Sequence, residues 1–294
     1  MPQCAVIEAP SILGLRPTGV ETLPEALVRA GLIDRLRARH AGRVLPQSPY
    51  DFQRDPTTLT LNPNGIAAYS RVLADAIGDI VDGGEFPVVL GGDCSIVLGA
   101  LLALKRRGRY GLLFIDGHAD FYSPETNPNG EAASMDLAFA TGRGPDLLTD
   151  IEGRGPLVRD DDVVAFGLRD ADEQVKYGSP PLPPGLRAVD LPSIRSRGLD
   201  VAAREAVAHL TRTSGPDRGF WIHLDADVLD DAIMPAVDYR LPGGLSWKEL
   251  TAVLRVAMES RRAVGLEVTI YNPTLDPSGE GACGLVSAVG DALG

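Results

Sequence analysis

Cysteine is scarce in this chain. Three thiols, Cys4, Cys94 and Cys283, are scattered over 294 residues. So few and so widely spaced, they do not make a disulfide framework, and a reducing compartment, the cytoplasm, is expected. Basic charge is short as well: 28 Lys and Arg stand against 40 Asp and Glu, a formal net charge of -12. Recognition of phosphate backbones or anionic headgroups needs a basic footprint, so neither nucleic acid nor a membrane is an expected partner. Long apolar runs are missing. The longest, such as "IVLGALLAL" (96–104), reach about half of the ~20 residues a spanning helix needs. The opening "MPQCAVIEAPSILG" has no basic segment ahead of a long apolar core, so a secretory signal is not expected. No low-complexity block or internal repeat divides the chain. With 44% hydrophobic residues, one large domain over 1–294 is the expected organisation.

What is present is alternation. Apolar, β-rich runs at 4–9, 86–91, 110–116, 162–167, 185–190, 219–225 and 263–268 are read as strands. Helical patterns occupy 22–40, 65–83, 95–108, 203–213 and 246–260, the last opening with a Ser246/Glu249 capping-box spacing. Continuously apolar strands alternating with helices predict an α/β fold whose mostly parallel sheet is covered on both faces. Stretches 42–64 and 121–160 are rich in Gly, Pro, Asn and Asp and read as long loops.

In such sheets chemistry gathers beyond the C-terminal strand ends, and the unusual residues lie there. "LLFIDGHAD" runs from an apolar strand into Asp116, His118 and Asp120; "HLDAD" repeats the pattern with Asp225 and Asp227. Side chains two apart in extended backbone point the same way. Four carboxylates and an imidazole so placed repel one another unless a cation neutralises them. Oxygen donors with one imidazole suit a hard or borderline divalent ion such as Mn²⁺, and carboxylates that bridge suit two ions about 4 Å apart. A single strand-end Asp is more often a helix cap, but the paired pattern is not explained that way.

Three motifs, in order, resemble those of the arginase/agmatinase/formiminoglutamase (ureohydrolase) family. "GGDCS" (91–95) resembles G-G-D-H-S, "DGHAD" (116–120) resembles D-A-H-x-D, and "HLDADVLDDAIMP" (223–235) resembles S-x-D-x-D-x-x-D-P-x-x-x-P. The resemblance implies a three-layer α/β/α fold, a two-Mn²⁺ hydrolytic site acting on a non-peptide C–N bond, a small-molecule substrate, and a homo-oligomer, trimer or hexamer. Carried over by position, one metal takes Cys94, Asp116, Asp120 and Asp225, and the other takes Asp116, His118, Asp225 and Asp227.

The departures from the family pattern bear on chemistry. Cys94 stands where G-G-D-H-S has His; a thiolate adds negative charge and softness, which shifts preference toward Zn²⁺ or Fe²⁺. The family's loop "HGMPLAF" aligns with "ASMDLAF" (133–139), placing Ala133 at the proton-transferring His and Asp136 at the Pro. The family's "GLDIVEVNP" aligns with "GLEVTIYNP" (265–273), placing Ile270 at the Glu that holds a guanidinium. Plain arginine or agmatine is therefore disfavoured; a hydroxyguanidino, formimino, ureido or amide substrate does not need that counter-charge. Candidates for acid–base work are Asp120, Glu131, Asp136 and His223, the last standing where the family has a small residue. Asp93 is expected to support the site from behind, and Arg240 is the candidate to hold a substrate carboxylate. The alternative is a catalytically degraded member serving as a binding or structural subunit.

Overall fold

Burial on both faces dictates the sheet. The computed structural model describes residues 2–213 and 219–294. Its eight strands are β1 (Cys4–Ala9), β2 (Arg39–Arg43), β3 (Phe86–Gly91), β4 (Gly111–Ile115), β5 (Val163–Leu168), β6 (Arg187–Asp190), β7 (Phe220–Asp225) and β8 (Ala263–Thr269). They form one sheet in the order β2-β1-β3-β8-β7-β4-β5-β6, and every adjacent pair is parallel. Residues of β1, β3, β4, β5 and β7 are buried throughout, as the unbroken apolar runs require.

Alternate side chains serve two cores. Val6, Val88, Leu90, Leu113, Ile115, Ile222 and Leu224 join one apolar cluster with the helices Leu23–Arg29, Leu199–Thr213, Trp247–Glu259 and Glu280–Leu293. Ala5, Ile7, Val89, Leu112, Phe114 and Trp221 join the other, against Pro63–Asp82 and Val97–Lys105. The three-layer α/β/α architecture is thus the packing consequence of period-two alternation in strands that are apolar on both faces along most of their length.

Several elements differ from the sequence-based reading. The helix expected over 22–40 is two short helices, Leu23–Arg29 and Leu32–Leu36, broken at Gly31, whose φ of 91° is left-handed. Its last residues instead enter β2, a polar edge strand held to β1 by Glu8, which accepts from Arg43 Nε at 3.0 Å and lies 2.8 Å from His40 Nε2. Such a strand has no apolar signature, because only its backbone pairing places it. The Ala- and Gly-rich helix Glu280–Leu293 and the short buried helix Asp136–Ala140, inside the expected loop 121–160, were both unanticipated. The capping box at Ser246 and Glu249 is formed.

The central order β3-β8-β7-β4 lines up four strand ends from four distant parts of the chain. The turn after β3 fits only because residue 92 is glycine: a Cβ there would sit 1.8 Å from the Ser11 carbonyl oxygen. Asp93 N donates to that same carbonyl at 3.0 Å, and Ile270 N donates to Gly92 O at 2.9 Å. Gly92→Ala is therefore expected to lower stability by about 1–3 kcal/mol through forced displacement of this turn. Thermal melting of the two proteins checks it; an unchanged Tm would show that the turn shifts freely.

Candidate metal centre

Hydrogen bonds from the carboxylates to their own turns end the two acidic strands. Asp116 Oδ1 accepts from His118 N at 2.6 Å, and Asp225 Oδ1 accepts from Asp227 N at 2.7 Å. Each is an Asx-type turn that stops pairing and swings the next acidic residue toward the first. Asp120 sits in left-handed backbone, φ 44°. Asp93 accepts from Ser95 N at 2.9 Å, Ser11 Oγ at 3.0 Å and Gly14 N at 3.2 Å, which fixes the loop carrying Cys94.

These turns bring Asp116, His118, Asp227, Asp225 and Cys94 together. One donor atom each from Asp116, His118 and Asp227 lie within 4.8 Å of one another, and the same holds for Asp116, Asp225 and His223. The Cys94 thiol donates to Asp225 Oδ2 at 2.9 Å and lies 3.2 Å from Thr269 Oγ1. His118 Nδ1 is 2.7 Å from Asp227 Oδ2, and Asp227 Oδ1 accepts from Gly117 N at 3.0 Å. Asp116 Oδ2 and His118 Nε2 are buried without a hydrogen-bond partner. Buried polar atoms almost always have one, so an unpartnered carboxylate oxygen and an unpartnered ring nitrogen among these carboxylates suit a divalent cation.

The electrostatics agree. Burial, then repulsion from Asp227, Asp120 and Asp225, pushes the Asp116 carboxyl well above the usual range. Burial and Asp227 do the same to Asp225. Asp120 is pushed up to about 8, chiefly by burial and against the pull of His118. Burial works against a charge on His118, but its contact with Asp227 prevails and pushes it up to about 10. Asp227 alone among the four carboxylates is lowered: burial opposes its ionisation, and His118 overcomes it. Burial pushes the Cys94 thiol well up, helped by Asp225. Without a cation this centre holds protons in its place.

A cavity of about 310 Å³ opens onto the centre. Cys94, His118, Asp120, Asp225 and Asp227 form its floor; Leu15, Pro128, Ala133, Ile270, Tyr122, Tyr177 and Tyr239 give apolar and aromatic wall, with Asn127, Asn129, Thr126 and Ser134 as neutral polar contacts and Glu173 as a carboxylate in the wall. Ala133 and Ile270 thus face the reacting space. Ile270 does so from strained left-handed backbone, φ 68°.

Of the four acid–base candidates, Asp120 alone lines the cavity. His223 is fully buried, stacked on Phe114 at 4.5 Å, with Nδ1 2.7 Å from Glu267 Oε1. It points to the same side as Asp225 but lies two residues deeper in β7, so the sheet covers it. Asp136 is fully buried behind the cavity wall. Glu131 is also buried; it accepts from Tyr239 Oη, from Asn129 Nδ2 at 2.6 Å and from Arg16 N at 3.3 Å, and so holds the Tyr239 that does line the cavity. Arg240, the candidate for a substrate carboxylate, directly follows the cavity-lining Tyr239 but is itself exposed and paired with Asp231 at 3.3 Å, and among the described residues no Lys or Arg lines the cavity.

Sequence reasoning missed Arg169 and Asp170, at the end of β5. Asp170 Oδ2 accepts from Ala119 N at 3.0 Å and so ties down the Asp116–Asp120 turn. Arg169 spans the carbonyls of Asp227, Leu229 and Leu241. A charged pair following an apolar strand was the available signal.

Comparison with known proteins is decisive at this point, because the model of the arginase family matches residues 3–293. The chain belongs to the arginase family. It is 29% identical over 300 residues to an arginase of Bacillus caldovelox, covering 100% of this chain and 99% of that one. The crystal structure of arginase from Bacillus caldovelox superposes with a TM-score of 0.88 at 27% identity, over 100% and 99% of the two chains. A proclavaminate amidino hydrolase from Streptomyces clavuligerus, 20% identical, shares the fold with a TM-score of 0.68 over 100% of this chain and 90% of its own. As an arginase-family member the protein is a metal-dependent hydrolase of C–N bonds other than peptide bonds. No helix among the described residues of this arginase-family chain is long and apolar enough to cross a membrane.

The raised carboxyls make a pH prediction. A carboxyl whose folded pKa is raised stabilises the fold below its unfolded value, about 4, and that stability is lost as pH rises through the folded value. Asp116, Asp225 and Asp120 are all raised, Asp120 to about 8. Metal-free protein should lose Tm between about pH 4 and 8, and Mn²⁺ should restore most at the upper end, where protons compete least. Asp120→Asn should flatten the metal-free decline. Melting curves in chelator and in Mn²⁺ check this, and a metal-free Tm that climbs across the window would contradict it.

Proposed function

We propose that this protein hydrolyses the C–N bond of a small amidino-type substrate less basic than arginine or agmatine: a hydroxyguanidino, formimino, ureido or amide compound. One observation carries the reading. The cavity keeps its acidic floor, yet at the positions of the family's guanidinium-holding Glu and loop His it presents the apolar Ile270 and Ala133.

Asp116, Asp120, Asp225 and Asp227, with His118 and Cys94, would hold the cations, Mn²⁺ by the oxygen-rich donor set and Zn²⁺ or Fe²⁺ by the thiol. Divalent cations bound there would supply Lewis-acid charge and make water acidic enough to ionise near neutrality. The chain's own residues do the remainder. Asp120 faces the cavity and, ionised as a ligand, presents a carboxylate oxygen placed to accept a proton from a water in the cavity. Asn127, Asn129, Thr126 and Ser134 offer neutral hydrogen bonds that orient a C=N or C=O group. Tyr239, fixed by Glu131, narrows the entrance. Ile270 excludes water from the side where a guanidinium would need a carboxylate. A trimer or hexamer in the cytoplasm, where Cys94 stays reduced, belongs to the same reading.

A second reading, a degraded member acting as a binding subunit, draws on the Cys94–Asp225 hydrogen bond, in which two proposed ligands occupy each other. Metal content after dialysis separates the two: near two ions per chain supports the enzyme, none supports the subunit.

Four outcomes are expected. Metal-loaded protein should release product from at least one hydroxyguanidino, formimino or ureido compound. It should turn over L-arginine and agmatine poorly, since a lost buried charge contact costs on the order of 2–5 kcal/mol, roughly thirty-fold or more in rate. Efficient urea release from either would refute this. Ile270→Glu alone should not restore arginine hydrolysis, because Ala133 still lacks the imidazole. In contrast, Arg240→Ala should leave kcat/KM within about two-fold, as for other surface changes; a large rise in KM would return Arg240 to the site.

A further inference from the structure

The departures of this chain from the family pattern lie far apart in sequence and meet at one point in space. Cys94 follows β3, Asp136 opens the short helix Asp136–Ala140, and His223 lies in the middle of β7. One donor atom from each, the Cys94 sulfur, an Asp136 carboxylate oxygen and an imidazole nitrogen, lie within 4.8 Å of one another. All three residues are at most 1% exposed.

The Cys94 thiol donates to Asp225 Oδ2 at 2.9 Å, but the other two residues have donor atoms left over. Both carboxylate oxygens of Asp136 are buried with no hydrogen-bond partner, and so is His223 Nε2. The other ring nitrogen of His223 is engaged with Glu267 Oε1 at 2.7 Å. A carboxylate behind one imidazole nitrogen fixes the tautomer and leaves the other nitrogen's lone pair free to coordinate, an arrangement typical of metal-binding histidines. Glu267 stands where the motif "GLDIVEVNP" has the shorter Asp, so the partner is also changed in this chain.

We propose that Cys94, Asp136 and His223 form an inner cation position behind the carboxylate pair, with Glu267 orienting His223. One sulfur, one imidazole nitrogen and one carboxylate oxygen are a donor set for Zn²⁺, and a thiolate with a carboxylate balances its charge. Asp225, bonded to Cys94 at 2.9 Å and within 4.8 Å of Asp116 and His223, adjoins both positions. The proposal extends the reading of the family site and does not depend on which substrate is turned over: the inner position binds metal whether or not any C–N compound is hydrolysed.

The test uses the full chain, stripped of metal and titrated with Co²⁺ and with Zn²⁺. Co²⁺ bound by a thiolate gives a near-ultraviolet charge-transfer band. That band should appear in the parent, vanish in Cys94→Ser, and vanish or shift in Asp136→Asn and His223→Gln. Glu267→Gln should weaken Zn²⁺ at this position by roughly 10–100-fold, as loss of an orienting partner does. Asp136→Pro and His223→Ser, which restore the residue types of the family motifs, serve as variants the fold should accommodate; each should lose the band and keep a native melting curve. His118→Ala, which strikes the outer pair, should leave the band in place. A band that survives unchanged in both His223→Ser and Asp136→Pro would overturn the inner position and leave Cys94 as a ligand of the outer pair alone. Failure of the substrate screen with the band intact would count against the proposed substrate class only.

Discussion

Four buried carboxylates that cannot all be ionised at once are the constraint around which this molecule is arranged. Asp116, Asp120, Asp225 and Asp227 face one another across the ends of β4 and β7, with His118 among them and no Lys or Arg lining the cavity they share. A fold does not keep such a cluster for stability, because each unpaired charge in the interior is costly. The cost is met by protons in the free chain and by divalent cations in the family to which it belongs. Much of the surrounding structure supports this cluster: Asp170 and Gly117 amide contacts hold the turns, Asp93 holds the loop of Cys94, and Arg169 clamps the carbonyls beyond Asp227.

The parallel sheet supplies the meeting place. Crossovers place β3 beside β8 and β7 beside β4, so β3, β8, β7 and β4 deliver residues near 94, 270, 225 and 118 to one edge. Because the strands are apolar on both faces, each can carry chemistry only where it leaves the sheet. That is why the acidic residues sit at strand ends and why one residue placed two positions deeper, His223, is removed from solvent altogether.

The substitutions that set this chain apart fall into two groups by location. Ala133 and Ile270 change what the cavity offers a substrate: an apolar wall replaces an imidazole and a carboxylate. Cys94, Asp136, His223 and Glu267 change what lies behind the floor, adding a thiol, a carboxyl and a carboxylate-backed imidazole in a space without solvent. In the proposed reading the first group would bear on specificity and the second on metal chemistry, and they meet at Cys94, which belongs to both the cavity floor and the inner cluster.

From the sequence alone came the alternation of apolar strands and helices, and with it the layered parallel fold. The two-residue spacing of Asp116, His118 and Asp120, and of Asp225 and Asp227, raised the expectation of a shared site, whereas turns beyond β4 and β7, not strand alternation, set how these residues approach one another. Both expectations follow from local rules: strand period, apolar runs, and the repulsion of like charges. Local rules fail where partners are distant. The polar strand β2 has no signature of its own and exists through pairing with β1. Arg240 is exposed and paired with Asp231 although its neighbour Tyr239 lines the cavity, while Glu131 acts through Tyr239 and not on the cavity directly. The convergence of Cys94, Asp136 and His223 could not be read from residues 42 and 87 positions apart. Depth within a sheet, the direction of a loop and the identity of a cross-strand neighbour are set by chain contacts far apart in sequence, and only the folded structure decides them.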